Sequence, residues 1–213
     1  YRDTAVMDFV SSVQAQAVDR ALDGGPSADL PVLSLVAPFS RTAEIPAGPV
    51  TIRDLAGLYV FPNTLFGVEM TGAQVKDYQE YSAKYFIQTA PGAPVDPATL
   101  TNADGTPDYN YDMLSGIDYD IDISRPVGER IVNLSFNGAP VDPVQRFAVA
   151  TNNYRQSGGG NFPHIAMAPV LVNQQTEIRQ LLIDYVVAQG TVNPADFADN
   201  NWRLVRSGVP VFD

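Results

Sequence analysis

Ala150-Thr151-Asn152-Asn153-Tyr154-Arg155-Gln156-Ser157-Gly158-Gly159-Gly160-Asn161-Phe162 joins two kinds of chain. The run leading into it, Phe147-Ala148-Val149-Ala150, is apolar and strand-forming. Polar groups, one aromatic ring and three consecutive glycines then follow at once. Glycine lets backbone approach a ligand and adopt positive φ, at a cost of roughly 0.5–1 kcal/mol per residue in regular structure. Three of them beside a Tyr and an Arg suit a surface shaped for something flat and polar. A mobile surface loop is the alternative these residues leave open.

Upstream of this stretch, Asn137-Gly138 is a tight-turn signal between Arg130–Phe136 and Arg146–Thr151, which read as two strands of one sheet. Ile117 to Ile123 alternates strictly, as a strand with one polar face does. Residues 88–108 are rich in Pro, Gly, Asp and Asn and form the longest irregular stretch, a flexible-loop candidate. Earlier still, Thr71 caps a helix running to about Phe86, after a strand over Leu65–Met70. Thr51-Ile52-Arg53-Asp54 resembles a capping box that opens a short helix. Leu30–Val36 reads as a buried strand, and Asp3 or Thr4 caps a first helix stopped by Gly24-Gly25-Pro26. Downstream, Gln174–Gln189 reads as a helix capped by Gly190, and Trp202–Val205 as a final strand. Helices and strands alternate irregularly without an internal repeat. The expected fold is one α+β domain spanning residues 1–213, a mixed sheet packed with helices.

Composition narrows the function. The chain has 213 residues, 45% of them hydrophobic and 17% charged, which suits a folded domain rather than disorder. A formal net charge of −11 argues against a nucleic-acid polymer or an anionic membrane as partner, since both need a basic face. A single nucleotide needs only one local positive spot. No cysteine and one histidine, His164, exclude a thiolate nucleophile and a His-rich metal centre. No apolar run reaches the length of a membrane span. Tyr1 is not an initiator Met, and the chain is read as a fragment or processed product.

Several motifs fail on their own chemistry. Gly158–Gly160 is not followed by Lys-Ser/Thr, so it is no P-loop, and no Gly-x-Gly-x-x-Gly opens a helix there. Ser157 does not sit in Gly-x-Ser-x-Gly, and His164 has no evident acid partner in sequence. Asp118, Asp120 and Asp122 share one face of a strand; a charged, solvated face accounts for them better than a metal. Asn102 to Asp108 has the alternate oxygens of a calcium loop without its bidentate Glu, and reads as a turn cluster. No self-sufficient active site remains. Aromatic rings at turns do remain: Phe61 beside Pro62-Asn63, and Tyr154 beside Asn153 and the glycines. Two such rings sandwich one nucleobase if they converge, each stacked face contributing about 1–3 kcal/mol. Ordinary core or rim packing is the competing reading.

Six segments carry a family resemblance. They are Tyr59-Val60-Phe61-Pro62-Asn63-Thr64-Leu65, Thr71 to Lys76, Tyr109 to Tyr119, Phe136-Asn137-Gly138, Ala150 to Phe162, and Asp199 to Arg203. Together they resemble the C-terminal domain of the 5′-nucleotidase family, in its bacterial 2′,3′-cyclic-nucleotide 2′-phosphodiesterase/3′-nucleotidase branch. The resemblance runs from about residue 30 to about residue 205. It implies a nucleotide- or nucleoside-binding domain of a hydrolase that serves nucleotide catabolism outside the cytoplasm. The catalytic part, an N-terminal metallophosphoesterase domain of the same polypeptide, would hold two divalent metal ions and the His–Asp dyad. No cofactor is implied in this chain, which would bind but not hydrolyse. Carried over by position, Phe61 and Tyr154 are the stacking rings, and Asn153 with Gly158, Gly159 and Gly160 shapes the pocket. Gly160 stands where 5′-nucleotidases carry an Asp that holds a ribose hydroxyl. Arg41 would approach the phosphate, with a surface ion pair as its other reading. The alternative for the whole chain is a non-catalytic surface-binding module that kept the fold.

Overall fold

The computed structural model describes residues 1–40, 42–101 and 105–212. In chain order their main elements are α1 (Ala5–Leu22), β1 (Val32–Val36), α2 (Ile52–Leu58), β2 (Thr64–Thr71), α3 (Gly72–Ala83), β3 (Met113–Ser115), β4 (Asp118–Asp122), β5 (Ile131–Phe136), β6 (Ala139–Pro140), β7 (Arg146–Asn152), α4 (Asn153–Gln156), β8 (Val170–Glu177), α5 (Ile178–Gln189), β9 (Trp202–Arg206) and β10 (Val209–Pro210).

β7 is the middle of a five-stranded sheet ordered β3-β1-β7-β2-β8. It runs parallel to β1 and antiparallel to β2, so the sheet is mixed. Its residues alternate between two cores. Ala148 and Ala150 join Phe9, Val13 and Val18 of α1, Leu55 of α2 and Ile178 and Leu182 of α5. Phe147 and Val149 join Tyr78 of α3 and Ile121, Ile131 and Leu204 of the second sheet. Burial on both faces explains why Phe147–Ala150 is apolar throughout instead of alternating. The second sheet, β10-β9-β4-β5-β6, is also mixed, with β4 parallel to β9 and antiparallel to β5. The α+β class with helices packed on a mixed sheet is as expected.

Local rules set the helix ends. Thr51 Oγ1 accepts from Asp54 N at 3.3 Å while Asp54 Oδ2 accepts from Thr51 N at 2.7 Å. Thr71 and Gln74 make the same reciprocal pair at the start of α3. Two expectations fail. Asn137-Gly138 does make a hairpin, but it closes on Ala139–Pro140, and β5 and β7 lie in different sheets. The turn signal is local, whereas the next ladder partner is chosen by burial. Gln174–Glu177 is strand, not helix, because this segment pairs antiparallel with β2; α5 begins only at Ile178.

Candidate functional site at the end of β2 and β7

The antiparallel register Leu65↔Asn152 brings the segment entering β2 and the segment leaving β7 to one end of the sheet. Two side-chain bonds tie these segments together. Asn153 Oδ1 accepts from Thr64 N at 3.1 Å, and Asn152 Nδ2 donates to Tyr59 Oη at 3.0 Å. Tyr59 is buried. Burial pushes its hydroxyl up to about 12, against smaller opposite effects of hydrogen bonds from Asn63 and Asn152. The phenol is therefore a neutral strut at ordinary pH.

The rings of Phe61 and Tyr154 are held on these tied segments, 42% and 43% exposed. Phe61 packs edge-to-face on Phe39 at 5.3 Å, and Phe39 packs in the same way on Tyr59 at 4.6 Å. Tyr154 lies against Gly159: a Cβ there would stand 2.5 Å from the ring carbons. Gly159 is thus a contact glycine. Gly160 has a different reason. Its φ is +79°, and a Cβ would meet Arg155 Nη1 at 2.7 Å and Asn110 Oδ1 at 2.8 Å. Its carbonyl accepts from Tyr81 Oη at 3.0 Å. Gly158 adopts φ +94°.

Arg155 faces inward, contrary to the expectation that it helps form a polar binding surface. Asn152 caps α4, its Oδ1 accepting from Arg155 N at 2.9 Å, and the helical turn sends the Arg155 side chain into the protein, 2% exposed. Nε donates to Asp112 Oδ2 at 2.8 Å and Nη2 to Asp112 Oδ1 at 2.6 Å. Nη1 donates to Asn110 Oδ1 at 3.0 Å and to Gly159 O at 3.1 Å, and Nη2 also to Tyr109 O at 2.5 Å. All the N–H donors of the guanidinium are thereby used. Burial alone would lower its pKa, but the hydrogen bonds and charge of Asp112 carry it above the ordinary arginine value. Tyr78 completes the cluster, its Oη donating to Asp112 Oδ2 at 2.5 Å and its ring stacking on Phe162 at 4.5 Å. Sequence spacing carried no sign of this cluster, because Asp112 lies 43 positions before Arg155.

The other candidates fall elsewhere. Arg41 and residues 102–104 of the calcium-loop-like segment lie outside the described residues. Asp118 is exposed, but Asp120 and Asp122 are buried, which corrects the solvated-face reading. Asp120 pairs with Arg203 and accepts from Asn133, and Asp122 accepts from Ser124 and Ser207, so their charge is matched by local donors. His164 does have an acid partner, Asp77, at 2.9 Å. Ser157 Oγ, in turn, donates to Tyr154 O, so the three do not form a triad.

Asp3, Asp8 and Asp199 gather their carboxylates within 4.8 Å of one another, the one such acidic grouping among the described residues. It contains no imidazole, and burial, then Asp3, drives the Asp8 carboxyl upward. That grouping does not suit the His–Asp chemistry of a dimetal phosphoesterase. A cleft of about 380 Å³ lined by Met7, Tyr85, Tyr111 and Trp202 shares no residue with 59–63 or 153–162.

Comparison with known proteins identifies the family of this fold. The family described as 5′-nucleotidase, C-terminal domain, matches residues 1–167. The 2′,3′-cyclic-nucleotide 2′-phosphodiesterase/3′-nucleotidase of Salmonella typhimurium is 38% identical over 229 residues, covering 95% of this chain and 35% of that protein. The trifunctional nucleotide phosphoesterase protein YfkN of Bacillus subtilis is 36% identical over 223 residues, covering 95% of this chain and 15% of that protein. The chain therefore spans about a third or less of these relatives. The 5′-nucleotidase precursor of Thermus thermophilus shares the fold at a TM-score of 0.74 and 18% identity, covering 96% of this chain and 36% of that one. The chain belongs to the 5′-nucleotidase C-terminal domain family, alongside the bacterial 2′,3′-cyclic-nucleotide 2′-phosphodiesterase/3′-nucleotidases.

Proposed function

We propose that this chain holds the nucleoside half of a nucleotide, its base stacked between Phe61 and Tyr154, and presents the phosphate to a separate metallophosphoesterase domain of the same polypeptide. The observation that carries this reading is the pair of half-exposed rings on two segments tied by the Asn153–Thr64 and Asn152–Tyr59 bonds. Family membership supports it, since the named relatives are nucleotide phosphoesterases.

Gly158–Gly160 act in this proposal through backbone shape and Asn153 through its bond to Thr64, while Arg41 is the residue that the family resemblance assigns to the phosphate. The chain's contribution to hydrolysis is orientation: fixing one reactant removes entropy from the barrier of a step carried out elsewhere. The two divalent metals belong to the other domain and would supply the activated water. We place the whole enzyme outside the cytoplasm, in nucleotide catabolism, as the family resemblance implies.

The test is a calorimetric titration of the chain with adenosine. Tyr154→Ala should weaken binding by about 1–3 kcal/mol. Unchanged affinity would remove the reading and leave a surface-binding module on the same fold.

A further inference from the structure

The Tyr154 ring is 43% exposed, and Ser157 Oγ bonds only the backbone carbonyl of that residue. Beneath it lie Gly159, in contact with the ring, and Arg155, whose guanidinium carbon is 5.4 Å from the ring centroid. That guanidinium also sits 4.3 Å from the Phe162 ring, at the far end of the glycine stretch. It binds the carbonyl of Gly159, the residue on which the ring rests. It binds Tyr109 O, Asn110 Oδ1 and both Asp112 oxygens as well. Two segments distant in sequence, 109–112 and 153–162, are thus joined through one buried cation.

We propose that Arg155 is the positioning residue of the second ring: gripped by Asp112, it fixes Gly159 and so sets the face that Tyr154 offers to a base. This rests on the reading above that Tyr154 stacks. The ion pair is buried, so its geometry is held by low dielectric and by a planar fork that a lysine cannot reproduce. A purely structural role would lower stability without altering how Tyr154 contributes to binding.

A double-mutant cycle on the full chain separates the two, with adenosine as the probe. Arg155→Lys should weaken adenosine binding about fivefold in the native background, and by less than about twofold in the Tyr154→Ala background. Loss of the same factor in both backgrounds means that Arg155 acts independently of the ring, and overturns the proposal. Full affinity in Arg155→Lys overturns it too, while a Tyr154→Ala defect would leave the stacking reading intact. If Tyr154→Ala itself has no effect, the stacking reading fails and the proposal falls with it. Should Arg155→Lys not fold, Asn110→Ala, which removes one acceptor near the surface, takes its place in the same cycle. A defect confined to the background that has the Tyr154 ring supports the proposal, and any other pattern overturns it.

Discussion

Asn153 Oδ1 and the Thr64 backbone N–H, 89 positions apart in sequence, meet at 3.1 Å. Thr64 begins the strand that follows Phe61, and Asn153 precedes Tyr154. One hydrogen bond therefore spans the two segments that carry the rings. Asn153→Ala removes the acceptor and leaves a partly buried N–H unpaired, at a cost of about 1 kcal/mol. Adenosine affinity should fall severalfold with only a small loss of melting temperature, and Asn153→Asp should restore much of it. Native affinity in the alanine variant would show that the spacing is set elsewhere.

Gly159→Ala should separate binding from folding. Its φ is not in the left-handed region, so the cost is the collision with the Tyr154 ring. The ring must turn away, and adenosine binding should weaken while the thermal midpoint changes little. Gly160→Ala is the contrasting variant, strained at φ +79° and pressed against Arg155 and Asn110. It should lose about 1–3 kcal/mol in denaturant unfolding. Equal effects of the two substitutions on stability would contradict the packing described.

Removing one member of the buried pair should be severe. Arg155→Ala leaves Asp112 charged, buried and short of donors, at about 3–5 kcal/mol. Replacing both residues by apolar side chains of similar volume should cost less than either single change, since desolvation offsets much of the attraction. Urea unfolding of the two single variants and the double one gives the comparison. A double variant as unstable as the sum of the singles would refute it.

Asp8 should make stability fall as pH rises. Burial first, then the charge and hydrogen bond of Asp3, pushes the folded carboxyl up to about 8, while an unfolded Asp titrates near 3.9. Between those values the folded chain keeps a proton that the unfolded chain has released, so unfolding becomes easier through that window. Asp8→Asn cannot release the proton, and its melting temperature should stay flatter from pH 5 to pH 8. Parallel curves for the two proteins would disprove this.

The parts of the fold legible in sequence were those governed by neighbours within a few residues. Thr51–Asp54 was visible as a capping box and Thr71 as a cap, since the partners of such bonds lie within one turn; the answering bond from Gln74 came with the structure. Phe147–Ala150 was visible as strand because two cores demand apolar residues on both faces. The role of Arg155 was not, because a basic residue beside an aromatic ring looks the same whether it faces water or a buried carboxylate. Asp120 and Asp122 were misread for a similar reason: alternation marks a polar face without revealing Arg203 or Ser207 on the neighbouring strand and turn. The β8 strand was hidden behind a helix pattern that starts four residues too early, and only its pairing with β2 decides the boundary.

The crowding at Gly160 also constrains descent. A carboxylate introduced at that position would find its space filled by the Arg155 guanidinium and the Asn110 amide. A protein with a carboxylate at residue 160 must first rearrange Arg155, and with it Asp112. A side chain gained at 160 and a shift of Arg155 are thus coupled changes, since the same two neighbouring side chains fill that space.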